Sequence, residues 1–294
     1  MVSAAGLLAP LSQAGEQVLL PQIVKDPQSL MRANGLMETQ WQLTTLFGPA
    51  MAGVLVAQIG PVSVLLLDAA SFWLCAWCFG RIPLERQEQA EASHSLQSLA
   101  AELITGYLYL LKRPLLLFLM VFTFLFNMAY GPVEVGLPLF ADQVLRGGSV
   151  ALGMLWTALA AGSLLGSLLF SLLTWRGATG TALAAIMIGW GVATLPLGFS
   201  ANLYLAMLSL GIAGLCYAPY GILYRTYLQK EVPTEMLGRV FTSFRTVTGL
   251  GMPLGAYAAG WLMPPFAVTE LFFWSAVLCI LIGWAAIVPL RRII

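Results

Sequence analysis

The chain of 294 residues is 59% hydrophobic and 9% charged, with 14 Lys and Arg against 13 Asp and Glu. Soluble proteins carry about 25% charged residues. That deficit excludes a water-soluble globular domain, a disordered chain and a nucleic-acid binder, and leaves a polytopic all-α membrane protein.

In chain order, apolar runs fall at 1–20, 39–59, 62–80, 114–133, 150–173, 179–199, 202–224, 243–263 and 268–290. Each is long enough to cross the hydrocarbon core as a helix, which takes about 20 residues. The alternating, roughly 10-residue strands of a membrane barrel are absent from the pattern. Between the third and fourth runs, the polar start of segment 81–113 gives way to Leu96, Leu99, Leu103, Tyr107 and Leu110 at helical spacing. This reads as an amphipathic helix along the inner membrane surface. It divides the chain into a partial bundle of three helices (1–80), a cytoplasmic linker (81–113) and a six-helix bundle (114–294). With the segment after the first run placed inside, every Lys and Arg except Arg146 lies on the inner side. The bias of basic residues toward the cytoplasm then predicts a bacterial cytoplasmic-membrane protein with its C-terminus in the cytoplasm.

No enzyme constellation is evident. His94 is the sole histidine, no Gly-rich loop precedes a Lys, and no carboxylates pair in a soluble cleft. Cys75 and Cys78 have CxxC spacing, but further ligands for zinc are missing nearby. Two thiols buried on a membrane helix is the simpler reading. Neither a metal nor a cofactor is expected.

Two loops resemble each other. Gln22 to Arg32 leads into a span holding Gly48, Pro49 and Gly53; Gln229 to Arg239 leads into one holding Gly249, Gly251, Pro253, Gly255 and Gly260. Parallel repeats of this kind mark two-bundle transporters. At these residues the chain resembles a major facilitator superfamily permease, and more narrowly the exporter branch with macrolide efflux pumps and the enterobactin exporter. The resemblance rests on Leu20-Pro21-Gln-Ile-Val, Arg32-Ala-Asn-Gly35, Gly48-Pro49-x-x-Ala52-Gly53, Asp68-Ala-Ala-Ser-Phe72, Tyr107-x-x-x-Leu-Lys-Arg-Pro114 and Leu228-Gln-x-x-x-Pro-x-x-Met-Leu-Gly238-Arg239-Val240. It aligns the chain with helices four to twelve of a twelve-helix fold, so the first three helices and their basic loop have no counterpart. Thr44 also stands where the fifth-helix motif normally has a glycine.

The resemblance implies a secondary transporter that exports small amphipathic molecules, drug or siderophore, driven by protons through alternating access. A truncated non-transporting fragment, or a membrane scaffold that needs a complementary chain, is the alternative. The expected partners are a small-molecule substrate, protons and the lipid bilayer, with the chain a monomer. Family helices four, seven and ten line the central cavity, which makes Gln13, Glu16, Gln17, Asn127, Tyr130, Glu134, Tyr217 and Tyr220 the substrate-path candidates. Asn127, Tyr130 and Glu134 share one helical face, and tyrosines suit amphipathic ligands. An interfacial aromatic belt is the competing reading for the tyrosines.

Asp68 lies about 10 Å past Pro61 at the helical rise, a depth where carboxylates are costly and often carry protons. It is the proton-coupling candidate, with a structural hydrogen bond to a neighbouring helix as the alternative. Gly48, Pro49, Gly53, Gly251 and Pro253 read as a close-packed seam between bundles, or as plain small-residue packing. Arg32 and Arg239 read as conformational elements pairing with acids such as Asp26 or Glu235, or as orientation anchors, and Gly238 beside Arg239 is a further conformational candidate. The stripe Ala158, Gly162, Gly166 predicts close helix packing within the bundle, with homodimerisation second.

Overall fold

The computed structural model describes residues 19–81, 96–172, 177–262 and 267–292. Among these the regular structure is helical: α1 (Pro27–Phe79), α2 (Leu96–Leu111), α3 (Pro114–Leu139), α4 (Gly148–Leu172), α5 (Thr179–Thr194), α6 (Leu203–Glu231), α7 (Thr234–Leu262) and α8 (Val268–Leu290). A π turn, Phe140–Val144, extends α3, and a 3₁₀ turn, Leu195–Gly198, extends α5.

The start of α1 is written in its sequence. Asp26 takes extended backbone and its carboxylate accepts from the Ser29 amide at 2.8 Å, with Pro27 opening the helix. Ser29's hydrogen bonds, with a smaller contribution from Arg32, hold the Asp26 carboxyl below its ordinary value. The two runs expected at 39–59 and 62–80 are two arms of α1, parted at Gly60. Its φ of 79° and ψ of 158° fall where only glycine goes readily.

By length and apolarity, five described helices suit a bilayer: Pro114–Val144, Val150–Leu172, Thr179–Gly198, Leu203–Glu231 and Val268–Leu290. The second arm of α1 contributes a shorter apolar stretch, Val62–Cys78. The first expected run lies outside the described residues except at its very end. α7 is 29 residues long, but its Thr, Gly, Tyr and Arg residues dilute its apolarity.

Helices α3 to α8 pack chiefly in pairs: α4 on α6, α3 on α7 and α5 on α8. Between membrane helices the gain comes from close packing rather than from expelling water. Two of these seams have a specific chemistry. Pro132 lacks an N–H, so the Met128 carbonyl loses its helical donor; Gly255 of α7 sits against that carbonyl. Pro219 likewise frees the Leu215 carbonyl, and Gly166 of α4 covers it. In both places a Cα–H faces the freed oxygen, the weak contact that helix–helix interfaces use. The Ala158, Gly162, Gly166 stripe is therefore occupied by α6, with Gly162 against Gly211.

α2 does more than lie on a surface. Gly106 meets the Arg239 carbonyl and Ser243, and Leu110 is fully buried, so one face docks on α7. The second arm of α1 is the opposite case. Every described side chain from Val62 to Cys78 is exposed apart from Val64. Cys75 and Cys78 are free thiols on this arm, on a surface that no other described helix covers.

Candidate functional site

The first arm of α1 meets α4 and α6 along one polar face. Leu30, Met31, Asn34, Gly35, Glu38 and Thr39 are its buried residues, at the three-and-four spacing of a single helical stripe. Gly35 lies against Ser171 of α4. One turn on, the Thr39 hydroxyl reaches the Ser167 hydroxyl at 3.1 Å. The Asn34 amide donates to Thr226 Oγ1 at 3.0 Å and to Gln229 Oε1 at 2.6 Å, both on α6. Between these contacts, Arg225 Nη1 lies 3.1 Å from Glu38 Oε2, an ion pair with a buried carboxylate. Gln42, one turn further along α1, donates to Glu38 Oε1 at 2.9 Å.

Immediately beyond this contact the helices part around a cavity of about 380 Å³. Gln42 and Thr45 of α1 form one wall, and Trp156, Thr157, Leu159, Ala160 and Ser163 of α4 another. Tyr130 of α3, Trp190 of α5, Tyr217 of α6 and Met252 of α7 complete it. Its aromatic side is built by edge-on packing. Tyr130 and Trp190 lie 5.1 Å apart, Trp190 and Tyr217 5.4 Å apart, both T-shaped. From Tyr217 the rings continue through Tyr220 to Tyr224, beside Arg225. The Trp190 side chain is buried, and its indole N–H meets no acceptor among the described residues. A cavity with this lining offers an apolar, polarisable surface with a few polar handles, as small-molecule sites do.

Of the sequence candidates, Tyr130 and Tyr217 line the cavity. Glu134 accepts from the Tyr130 hydroxyl at 2.8 Å and so stands behind that wall. Tyr220 is buried and its hydroxyl shares a hydrogen bond with Thr123 at 2.7 Å. Asn127 donates to the Thr248 carbonyl at 2.9 Å, joining α3 to α7. Gln13, Glu16 and Gln17 lie outside the described residues. Asp68 is exposed on the second arm of α1, where its carbonyl accepts from Ser71.

Gly251 abuts the Phe124 carbonyl and Asn127, and so belongs to the α3–α7 contact. Pro253 follows two residues on, inside the same helix. Gly48, Pro49 and Gly53 fall inside α1, past the polar stripe. Arg32 is exposed near Asp26; Gly238 and Arg239 lie in the second turn of α7, beside docked α2. Sequence reasoning missed Glu38, Gln42, Trp156, Trp190 and, as more than a surface charge, Arg225. For Glu38 a signal existed: the polar residues 34, 38 and 42 recur every four positions, which puts them on one face.

The profile of the Major Facilitator Superfamily matches residues 2–256. The chain belongs to this family of multi-pass membrane proteins. It is 30% identical over 256 residues to an uncharacterized MFS-type transporter, y4rN, of Sinorhizobium fredii, covering 86% of this chain and 62% of that one. Over 281 residues it is 24% identical to the multidrug efflux pump Tap of Mycolicibacterium fortuitum, covering 95% and 68% respectively. It is 25% identical over 268 residues to the enterobactin exporter EntS of Shigella boydii, covering 90% and 63%. The chain thus spans a little under two thirds of the length of several curated relatives it matches.

Proposed function

We propose that the chain acts in a proton-driven secondary transporter that exports small amphipathic molecules from a bacterial cell by alternating access. The observation that carries this reading is the aromatic cavity closed at one end by the polar contact of α1 with α4 and α6. The similarity to the multidrug efflux pump Tap and the enterobactin exporter EntS supports the export direction. The one-sided distribution of Lys and Arg supports an inner location for the closed end, since Lys25, Arg32 and Lys230 flank it. The cavity then faces outward, the state from which an exporter releases its cargo.

In this reading residues 1–80 and 114–294 form the two rocking bodies, and 81–113 links them. Gly48, Pro49 and Gly53 let α1 flex as the bodies move, while Arg32, Gly238 and Arg239 steady the inner ends. Substrate sits against Tyr130, Trp190 and Tyr217, its apolar body on the rings and one acceptor on the Trp190 N–H.

The test is accumulation of a fluorescent amphipathic drug. Cells making the chain are expected to hold less dye than control cells, and a protonophore should abolish the difference. Equal accumulation in both at verified membrane levels would contradict export. Asp68 stands outside the cavity lining, so Asp68→Asn is expected to leave export intact. Loss of export in that variant would instead make Asp68 the coupling carboxylate.

A further inference from the structure

We infer that a groove between α5 and α6 is a site for one acyl chain of a membrane phospholipid, drawn from the leaflet on the side of the turn that joins these two helices. The groove shares no lining residue with the aromatic cavity, and the site is independent of the export reading.

Its dimensions fit a single leaflet. The groove encloses about 600 Å³ and is lined from Ala185 to Pro196 on α5 and its 3₁₀ extension, and from Leu205 to Cys216 on α6. Each stretch advances about 17 Å at the helical rise, close to half of the roughly 30 Å hydrocarbon core. Both helices are long and apolar enough to span a bilayer, so the groove opens on hydrocarbon. Ser209 is the one lining residue whose side chain carries an oxygen.

The groove is open because the helices stay apart there. Ala185, Gly189 and Ala193 recur every four residues on one face of α5. Such stripes usually let two membrane helices close on each other, as α4 and α6 do where Gly162 meets the Gly211 backbone. A Cβ at Gly189 would meet only Cys216, with Sγ at 3.5 Å and Cβ at 3.8 Å, and no α6 backbone within 4 Å. Val192, Leu208 and Ile212 stand exposed in the lining and join the groove to the lipid-facing surface. An unfilled groove would forfeit dispersion contacts along all of this lining. Water finds too few polar partners on such walls to replace them. A flexible hydrocarbon chain restores the contacts.

The polar end of the lipid has a place as well. Pro196 and Leu205 flank the turn between the helices. In it the Ser200 hydroxyl accepts from the Asn202 amide, and Asn202 Oδ1 accepts from the Leu205 amide, each at 3.1 Å. Tyr204 is exposed beside them, and tyrosines gather at the level of the headgroups. The headgroup therefore stands at this turn, and the end of the chain reaches Ala185 and Cys216. Gly189 and Cys216 each precede a residue of the aromatic cavity, Trp190 and Tyr217. The bound chain thus braces the α5–α6 seam that carries one wall of that cavity.

The experiment is photolabelling of the whole chain in nanodiscs of phosphatidylethanolamine and phosphatidylglycerol. A trace of the phosphatidylethanolamine carries a diazirine near the methyl end of one acyl chain, and adducts are mapped by mass spectrometry. Adducts on residues 185–196 and 205–216 are expected to exceed those on the exposed face of α8, at Trp274, Leu278 and Leu281, by about tenfold. Gly189→Leu fills the groove and should cut its adducts by about tenfold, with the α8 adducts unchanged. Equal labelling of groove and α8, unaltered by Gly189→Leu, would overturn the site and leave only ordinary lipid solvation. Should Gly189→Leu fail to fold, Ala185→Leu, also in the lining, serves with the same two outcomes. A fluorescent amphipathic drug that protects the groove from labelling would assign it to cargo and overturn the phospholipid proposal. Loss of export in cells would remove the transport reading and leave the photolabelling result to judge this site by itself.

Discussion

Gly162→Leu is expected to abolish recovery of folded protein, whereas Gly153→Leu on the same helix is expected to be silent. The two glycines are nine residues apart on α4 and differ in what they face. A side chain at Gly162 would run into the Gly211 backbone of α6, while at Gly153 nothing lies within 4 Å. Overpacking a core costs about 1–3 kcal/mol when side chains can shift aside. Here the obstacle is backbone, held by the adjoining contact of Gly214 with Leu159 and Ser163, so the α4–α6 pair has to separate. Detergent extracts run on a size-exclusion column with fluorescence detection would read this directly. A sharp monodisperse peak for Gly162→Leu would contradict the packing described.

Trp190→Ala is expected to lose both thermal stability and dye binding, and Trp190→Phe to lose binding alone. Trp190 is 2% exposed and packs on Phe126, Tyr130 and Tyr217. Removing a buried Trp side chain to alanine costs about 3–5 kcal/mol. Phenylalanine keeps a ring in that box but deletes the N–H that meets no acceptor among the described residues. A ligand that accepts from this N–H should then bind up to about tenfold more weakly, the scale of one net hydrogen bond. Fluorescence titration of the purified variants measures the binding, and a thermal-shift series measures the stability. Dye binding unchanged in Trp190→Phe would remove the indole from the substrate path.

Hydropathy reads the lipid-facing part of a helix well and its ends poorly, which explains the fit and the misfit of the fold. The run expected at 202–224 continues as helix to Glu231, because Arg225, Gln229 and Lys230 follow the apolar stretch without a breaker until Val232-Pro233. α7 likewise starts at Thr234 rather than 243. The break at Gly60 was visible as Gly-Pro chemistry, and the amphipathic helix as a stripe of leucines. Its docking on α7 was not visible, because the partner groove is made by Gly106 meeting backbone from another part of the chain.

In the site, Tyr130 and Tyr217 were legible because the resemblance numbered the helices. Trp190 was hidden: a tryptophan inside an apolar run carries no polar neighbour to distinguish it from lipid-facing ones such as Trp274 or Trp284. Arg225 was counted among the inner positive charges, and charge counting cannot show that a guanidinium turns inward to a carboxylate on a distant helix.

In the proposed transporter the cavity between α1 and the α3–α8 set faces outside while the polar stripe seals the inner end. Intact cells carrying a single cysteine at Thr157 in the cavity, or at Gln28 or Lys230 beyond the seal, can be treated with a membrane-impermeant maleimide. Reaction at 157, with protection at 28 and 230 until the membrane is permeabilised, is the result predicted. Reaction from outside at 28 and 230, with 157 protected, would contradict it.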